Sequence, residues 1–483
     1  MKIQKLMRFL AILLFSAFFC WPNVKADASN GGHQISIELK NYDEPQLFLG
    51  YHYGDKQYLQ DTVEKNKAGF FVFEGEEPLS PGVYLVVMAP DNKYFQLLVT
   101  DEEQNFKVFV NAENPTQEIR FENAPDNQLF YEYLSFLEEK KPMADQLAEQ
   151  ITAAEDDSQR KALQDKRSKI DEEVKDFQAS LIRRKPGALT AAIIKANLPL
   201  DTPEFEGTEE EIQLKRWRYS QDHYFDNLDL GDPRMLRTPF LFQRVDYFVH
   251  KLQVQHPDTI SWAIDQVLER MKPAEETFKY YLIHFLNEYA KSNIVGMDAV
   301  YVHLVNKYYA TGMAPWTDEE QLEKIIENAK ALEPLLIGKI APNIKLQKRD
   351  GSPIELYDVE SEYTILYFWR YDCGHCKKST PFMKEFYEKY KDKGVKIVAV
   401  CAKFTDEIPD CWKYIDDNEI GDWLHTVDEY HRSRFMTVYN IKSTPQLYIL
   451  DRNKEILSKR IGAEQLEEVM DKIIEMREKE GKE

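Results

Sequence analysis

Two cysteines separated by two residues, Cys373 and Cys376, are the side chains in this sequence best placed to do chemistry. They follow an apolar run at residues 363–369, whose β-branched and aromatic composition predicts a buried strand. They precede residues 377–391, which predict a helix. The first sulfur then lies at a helix N-terminus, where unpaired N–H groups and the positive end of the helix dipole favour a thiolate. A thiolate beside a second cysteine predicts dithiol–disulfide exchange.

Each cysteine has its own predicted role. Cys373 is nearer the helix start and more exposed, so we expect it to be the attacking thiolate, with a pKa below the ordinary thiol value. Cys376 lies one turn later, and we expect it to be more buried and to resolve the mixed disulfide. Between them, His375 can stabilise the thiolate. No cofactor is required, and no metal is predicted, because structural zinc usually takes four ligands from two separated pairs.

The other cysteines also favour redox use over structural cross-linking. Of the five cysteines, Cys20 lies in the N-terminal apolar segment and the remaining four lie in the last quarter of the chain. A secreted protein stabilised by disulfides would spread them through its domains. Cys401 is predicted to end a strand and Cys411 to begin a helix. They either form a second disulfide or remain two independent thiols, since spacing does not determine connectivity.

The N-terminus has the pattern of a secretory signal peptide. Basic residues precede an apolar core at residues 9–21, and small residues near Ala26 offer a cleavage site. Residues 1–26 are therefore predicted to be removed on export. Lipidation at Cys20 is the alternative, although the bulky residues before this cysteine do not resemble a lipobox. No later segment of the sequence is long and apolar enough to span a bilayer.

Length and charge limit the remaining possibilities. A chain of 483 residues exceeds a single core, and its 43% hydrophobic and 13% aromatic content is typical of folded protein. The net charge of −21 argues against binding nucleic acid or anionic lipid through the overall field. We predict three domains after the signal peptide, at residues 27–125, 126–335 and 336–483.

The first two domains are predicted to differ in class. Residues 27–125 contain short apolar or alternating segments separated by Asp, Asn, Gly and Pro, which predict an antiparallel β-sandwich. Residues 126–335 predict an all-α domain with a long antiparallel helix pair, since apolar residues recur at heptad-like spacing on a charged background between Leu163 and Leu181. The sandwich contains no nucleophile–base pair, and the scattered histidines of the helical part have no metal-ligand spacing. We interpret the sandwich as a packing or partner-binding module.

Residues 336–483 predict an α/β domain, because strands alternate with helices as in a βαβ unit. The predicted strand 363–369, the helix after the cysteines and the strand 395–400 form that unit. Further predicted elements are a helix at 429–439, strands at 446–450 and 455–460, and a final helix at 464–479.

This third domain closely resembles the TlpA/ResA-type thiol–disulfide oxidoreductases of the AhpC/TSA–thioredoxin superfamily. The resemblance rests on an ordered set of motifs over about 140 residues: Gly338 to Pro342, Asp350-Gly351, Phe368-Trp369, Cys373-Gly374-His375-Cys376 and Ser443-Thr444-Pro445. It implies a thioredoxin fold in which the Thr444-Pro445 bond is cis and faces the cysteine pair. It also implies an envelope location, since residues 33–335 are similar to the extensions of multidomain envelope proteins of Gram-negative bacteria. A periplasmic protein is therefore expected.

Two positions depart from the pattern of the family. Thioredoxins carry a buried Asp six residues before the first cysteine, where this sequence has Tyr367. ResA-type proteins often carry Glu three residues after the second cysteine, where this sequence has Ser379. The usual proton acceptors for Cys376 are thus missing, and Asp372, Glu385 or solvent are the candidates to replace them.

The sequence therefore predicts a periplasmic protein-disulfide reductase or isomerase. The expected partners of this protein are cysteine-containing envelope proteins and a membrane electron donor. The sequence predicts no nucleic-acid partner. One alternative is an envelope binding or scaffold protein with an accessory thioredoxin domain. Another is a peroxiredoxin-like peroxidase, although the residues before Cys373 do not supply the Pro-x-x-x-Thr/Ser-x-x-Cys setting of a peroxidatic cysteine.

Overall fold

The computed structural model describes residues 31–480 of the chain. It confirms the predicted fold class, with an N-terminal β-sandwich, a central helical part and a C-terminal thioredoxin-like α/β part. The predicted signal peptide, residues 1–26, and Cys20 within it lie outside the described residues. No helix between residues 31 and 480 combines the length and the apolar character needed to cross a membrane.

Along residues 31–480, strands come first, helices follow, and strands and helices alternate in the last part. The strands are β1 His33–Lys40, β2 Gln46–Tyr53, β3 Lys56–Glu64, β4 Phe70–Gly75, β5 Gly82–Met88, β6 Lys93–Val99, β7 Asn105–Asn111, β8 Ile119–Glu122, β9 Lys345–Gln347, β10 Pro353–Glu355, β11 Tyr363–Trp369, β12 Val395–Cys401, β13 Leu424–Val427, β14 Gln446–Asp451 and β15 Ile456–Lys459. The helices are α1 Pro125–Ala153, α2 Asp157–Arg184, α3 Leu189–Ala196, α4 Glu209–His223, α5 Leu241–His250, α6 Pro257–Met271, α7 Glu275–Ala290, α8 Asp298–Leu304, α9 Glu319–Leu332, α10 Gly374–Tyr390, α11 Ile408–Asp417, α12 Phe435–Val438 and α13 Leu466–Glu480.

The sandwich consists of two four-stranded sheets, ordered β4-β1-β7-β8 and β3-β2-β5-β6. Its strand pairs are antiparallel except β1 and β7, which run parallel and are joined by a long connection that contains strands of both sheets. Strand β3 does not have the apolar or alternating pattern on which the sandwich was predicted. Its sequence is mostly polar and most of its residues are exposed, so it lacks the apolar pattern that marks the other strands.

The helical part begins with the predicted long antiparallel pair, α1 and α2, of 29 and 28 residues. The later helices pack on the sandwich, and one continuous hydrophobic core runs from Ile35 in β1 to Leu332 in α9. Tyr280 on α7 illustrates the contact, since its hydroxyl accepts from the Asp55 amide and donates to the Asp55 carboxylate. The helices and the sandwich therefore support one another through shared apolar burial.

The thioredoxin-like part is built on a seven-stranded sheet of order β10-β9-β13-β12-β11-β14-β15. Strand β11 lies between β12, to which it is parallel, and β14, to which it is antiparallel. All seven of its residues are buried, with Ile365, Tyr367 and Trp369 in one core and Leu366 and Phe368 in the core on the opposite face. This two-sided burial explains the continuous apolar run in the sequence.

One predicted helix is much shorter than expected. The segment 429–439 is helical over α12, Phe435–Val438, and a loop precedes it. The buried Asp428 carboxylate accepts hydrogen bonds from the amides of Arg432 and Ser433, which holds the backbone in the loop. Such local side-chain bonds compete with helical hydrogen bonds, and the apolar periodicity of the sequence does not reveal them.

A buried ion pair joins the helical part to the thioredoxin-like part. Lys459, the last residue of β15, is 2% exposed, and its ammonium group donates to the Asp298 carboxylate and to the Leu335 carbonyl. Asp298 begins α8 and Leu335 follows α9. This contact sets the last helices of the central part beside the residues that follow β15.

Candidate active site

The strand-to-helix junction places Cys373 at the N-cap of α10. Strand β11 ends at Trp369, three residues form a turn, and Cys373 has an extended backbone that caps the helix starting at Gly374. The Cys373 sulfur accepts a hydrogen bond from the Cys376 amide at 3.2 Å. An N-cap acceptor is normally an oxygen, and here the sulfur takes that position, where the helix N–H groups stabilise negative charge.

The two sulfurs differ in exposure and in acidity. Partial burial would raise the pKa of Cys373, but hydrogen bonds from the Cys376 side chain and amide and from the His375 amide hold this pKa below its ordinary value. Cys376 is 1% exposed, and burial together with the neighbouring Cys373 raises its pKa to about 12. Cys373 is thus the thiol that ionises first, and Cys376 stays protonated at neutral pH.

The loop before β14 covers the cysteine pair. The Thr444–Pro445 bond is cis, as the family resemblance implied, and the Cys373 thiol donates to the Thr444 carbonyl at 3.2 Å. The His375 ring is exposed and makes no hydrogen bond within the described residues, so His375 acts on the Cys373 sulfur through its amide. The sequence-predicted Cys373, Cys376, His375 and Thr444-Pro445 therefore meet at one place.

The two positions that depart from the family pattern lie beside Cys376. Tyr367 is 2% exposed, and its hydroxyl has no hydrogen-bond partner among residues 31–480. Burial, followed by the nearby Cys376, raises its pKa above the ordinary tyrosine value. The Ser379 hydroxyl donates to the His375 carbonyl at 3.0 Å within the helix. Neutral hydroxyls therefore stand where related proteins carry carboxylates, and neither accepts a proton readily.

Asp372 belongs to a charged network beside the site. Its carboxylate accepts from the Arg370 guanidinium at 2.8 and 3.0 Å, and Lys403 lies 3.0 Å away. Hydrogen bonds from Arg370 and then from Lys403 hold the pKa of Asp372 well below its usual range. A carboxylate with so low a pKa is a weak proton acceptor, so Asp372 acts chiefly as an anchor for the turn before Cys373.

Trp369 and the second cysteine pair lie behind the site. Trp369 is buried in the same core as Cys376 and pairs in register with Cys401 on β12. Cys401 and Cys411 are joined by a disulfide with an S–S distance of 2.04 Å, and both are at most 1% exposed. Cys373 and Cys376 are free thiols. The buried disulfide links β12 to α11, whereas Cys373 is partly exposed to solvent.

A cavity of about 1020 Å³ adjoins the site, and sequence reasoning missed the residues of its rim. Lys378, Lys442 and Arg460 line it from the thioredoxin-like part, and Leu332 lines it from the helical part. Lys378 lies two residues after Cys376, so its position near the site could have been predicted from the sequence. The others are distant from it along the chain, and only the folded arrangement brings them to the site.

We expect the core behind the site to lose stability in acid because of His425. Its Nε2 donates to the Ile420 carbonyl at 2.6 Å, and its Nδ1 has no hydrogen-bond partner in the described part of the chain. Burial lowers the pKa of His425 to about 4. The unfolded chain, with an ordinary His pKa of about 6.5, binds the proton first, so stability falls as pH decreases from about 6.5 to 4. The loss should reach about 3 kcal/mol, and urea unfolding at pH 7 and pH 4 measures it.

Substituting His425→Gln should remove that share of the pH dependence, whereas the exposed His431→Gln should leave it in place. Equal pH dependence in the wild type and in the His425→Gln variant would contradict the assignment.

Two family models match the chain. A model described as thioredoxin-like matches residues 361–456, which contain both active-site cysteines and the Thr444-Pro445 loop. A model described as a domain of unknown function, DUF5106, matches residues 157–333, which correspond to most of the helical part.

Relatives and solved structures match the C-terminal part. The thiol-disulfide oxidoreductase ResA of Bacillus cereus is 32% identical over 145 residues, which are 29% of this chain and 80% of that protein. ResA of Bacillus subtilis is 41% identical over 68 residues, which are 14% of this chain and 38% of that protein. A domain of a possible thiol-disulfide isomerase from Cytophaga hutchinsonii is 38% identical and covers 30% of this chain and 98% of its own, with a TM-score of 0.29. Through its C-terminal domain, this chain belongs to the ResA family of thiol–disulfide oxidoreductases.

Proposed function

We propose that this protein is a periplasmic thiol–disulfide oxidoreductase that reduces or rearranges disulfides in cysteine-containing envelope proteins, using the Cys373-Gly374-His375-Cys376 dithiol. One observation carries the proposal: the half-exposed Cys373 sulfur caps α10 and has a lowered pKa, while Cys376 behind it is buried with a raised pKa. Such an asymmetric pair suits one sulfur to attack and the other to resolve.

The exchange takes two steps. The Cys373 thiolate attacks one sulfur of the substrate disulfide, a mixed disulfide forms, and the other substrate sulfur leaves as a thiolate. Cys376 then gives up its proton and attacks the Cys373 sulfur, which releases the second substrate thiol and forms the Cys373–Cys376 disulfide. The substrate gains two electrons and two protons. A membrane electron donor must return two electrons to the pair before the next turnover.

Proton removal from Cys376 is the demanding step of this cycle. Its pKa of about 12 disfavours the thiolate, and the hydroxyls of Tyr367 and Ser379 replace the carboxylates that related proteins use. The departing substrate thiolate is itself a base next to the site, and it can take the proton as the mixed disulfide forms. Resolution then depends on the leaving substrate sulfur more than on a protein carboxylate.

Trapping of partners tests the proposal. The Cys376→Ser variant, expressed with its own signal peptide in a Gram-negative host, should accumulate mixed disulfides that migrate as high-mass species on non-reducing gels and disappear with reductant. The double variant Cys373→Ser/Cys376→Ser is the matched control and should show none. The absence of adducts from a folded Cys376→Ser protein recovered from the periplasm would argue against exchange with envelope proteins.

The reduction potential then separates the directions of exchange. The Gly-His pair between the cysteines resembles that of protein disulfide isomerases and implies a reduction potential of about −180 mV. A reduction potential of about −270 mV, as in thioredoxin, would favour a dedicated reductase. Equilibration with glutathione, followed by alkylation of Cys373, measures this potential.

A further inference from the structure

A cleft between the helical part and the thioredoxin-like part opens on the active-site loops. Its volume is about 1020 Å³, and His375, Thr444 and Pro445 line it beside the cysteine pair. The opposite wall consists of Ala290 at the end of α7 together with Asn328 and Leu332 of α9. A space of this size exceeds what a single side chain fills and suits a short peptide segment.

The two walls of this cleft are held in place by a buried contact. The Lys459 ammonium donates hydrogen bonds to the Asp298 carboxylate and to the Leu335 carbonyl. Leu335 lies three residues after Leu332, which lines the cleft. Arg460 and Ile461 follow Lys459 and line the cleft. The helical part is therefore attached at the edge of the site, and its residues form one wall of the cleft.

The cleft offers an apolar anchor near the cysteines. Phe382 lies on α10, two turns after the cysteine pair, and its side chain is 48% exposed. Pro445 and the half-buried Ile461 line the same cleft. An exposed aromatic side chain beside other apolar groups in a concave site is typical of a surface that receives a partner's apolar residue.

The rim of the cleft is basic, although the chain as a whole is strongly acidic. Lys378, Lys442 and Arg460 are exposed, and none of them has a carboxylate within 4.0 Å among residues 31–480. Glu464 is the acidic side chain among the lining residues of the described chain. The chain carries a net charge of −21, so it repels acidic partners over most of its surface. Three unneutralised cations at one cleft produce a local positive potential, which attracts acidic segments.

We propose that this cleft selects extended, acidic protein segments that carry a disulfide-bonded cysteine and an apolar residue, and that the helical domain acts as the specificity wall of the oxidoreductase. The inference rests on the proposed function, because the segment must present its disulfide to Cys373. Basic segments are disfavoured by Lys378, Lys442 and Arg460, and bulky folded surfaces are disfavoured by the wall of α7 and α9.

A pair of matched peptides tests the charge preference. Both contain the same intramolecular disulfide and the same phenylalanine, and they differ only in flanking residues, which are glutamate in one and lysine in the other. The reduced wild-type protein should react about tenfold faster with the glutamate peptide at low salt, and the ratio should shrink at high salt. Comparing this ratio between a variant and the wild type cancels the intrinsic difference between the two peptide disulfides and any change in the reactivity of Cys373.

Two charge variants locate the preference. Lys442→Glu should lower the ratio of the two peptide rates at least threefold. Lys67→Glu makes the same charge change in an exposed turn of the sandwich and should leave the ratio and the rates unchanged. An unaltered ratio in Lys442→Glu, or an equal loss in Lys67→Glu, would overturn the assignment of the preference to this cleft.

A steric variant tests the helical wall. Ala290→Trp should narrow the cleft and slow exchange with the glutamate peptide about tenfold, whereas Ala162→Trp on the exposed face of α2 should not. Equal rates in Ala290→Trp and in the wild type would overturn the role of the wall.

A small neutral disulfide, dithiodipyridine, separates the two levels of inference. If the wild type reduces it but shows no preference between the peptides, or prefers the lysine peptide, the acidic-segment proposal fails and the proposed function stands. If the wild type reduces neither dithiodipyridine nor either peptide, the proposed function fails and this inference fails with it.

Discussion

Replacing Cys373 with serine should lower the rate of disulfide reduction by at least about 10³-fold, because a serine hydroxyl does not ionise at neutral pH and cannot attack a disulfide sulfur. Cys373 is the half-exposed sulfur with the lowered pKa, and Cys376 is too buried, with a pKa of about 12, to replace it. Stopped-flow reduction of dithiodipyridine by the pre-reduced protein measures the rate.

The Cys376→Ser variant should behave differently. It should release one equivalent of pyridine thione in a first phase close to that of the wild type, and then stop as a stable mixed disulfide at Cys373. Cys401→Ser/Cys411→Ser serves as the control for the removal of cysteines away from the site, and it should keep the two-step reaction of the wild type because this pair is a buried disulfide. A Cys373→Ser variant that retains rapid exchange would contradict the assignment of the attacking sulfur.

Replacing Lys459 with methionine should destabilise the protein by about 3–5 kcal/mol, because it leaves a largely buried carboxylate without its counter-charge. The Lys459 ammonium lies 2.5 Å from the Asp298 carboxylate and 2.5 Å from the Leu335 carbonyl. The side chains of Lys459 and Asp298 are 2% and 12% exposed, so water compensates little. Urea unfolding measures the change in the free energy of unfolding.

A double-mutant cycle gives the control for this prediction. Asp298→Asn combined with Lys459→Met should cost less than the sum of the two single variants, by about 1–3 kcal/mol, because neither charge then remains unpaired. Lys472→Met, which removes an exposed ion pair with Glu468 on α13, should change the stability by less than about 1 kcal/mol. Additive single effects would show that the two side chains do not interact as the distances indicate.

Loss of this ion pair should also affect the cleft beside the active site. Arg460 follows Lys459 directly, and Leu332 lies close to the Leu335 carbonyl along the chain. A Lys459→Met protein should therefore select less between acidic and basic peptides than the wild type, while dithiodipyridine continues to report on the cysteines alone.

The chemistry of the site could be predicted from the sequence because local signals encode it. The apolar run at 363–369 predicted a buried strand, and the two cysteines after it predicted a sulfur at a helix N-terminus. Both are short-range consequences of composition and spacing, which depend little on distant parts of the chain. The fold classes of the three parts were predictable for the same reason.

Features that depend on distant residues were less predictable. The mostly polar sequence of β3 does not predict a strand, because β3 pairs with β2 through backbone hydrogen bonds, which leave no side-chain pattern. The helix expected at 429–439 was wrong over its first half because the Asp428 carboxylate holds the backbone amides of a loop. The partner of Cys401 stayed open because spacing alone does not determine connectivity.

The sequence by itself determined that a dithiol lies between a buried strand and a helix N-terminus, because strand burial and helix capping act over a few residues. The thioredoxin-like domain around it was implied by the resemblance of its ordered motifs to a known family. Only the tertiary structure decided what surrounds that dithiol. Ala290, Lys442 and Arg460 are separated by up to 170 residues along the chain and line one cleft, since long-range packing and the buried Lys459–Asp298 pair bring them together. Such contacts depend on how the complete hydrophobic core packs, and no local sequence pattern encodes them.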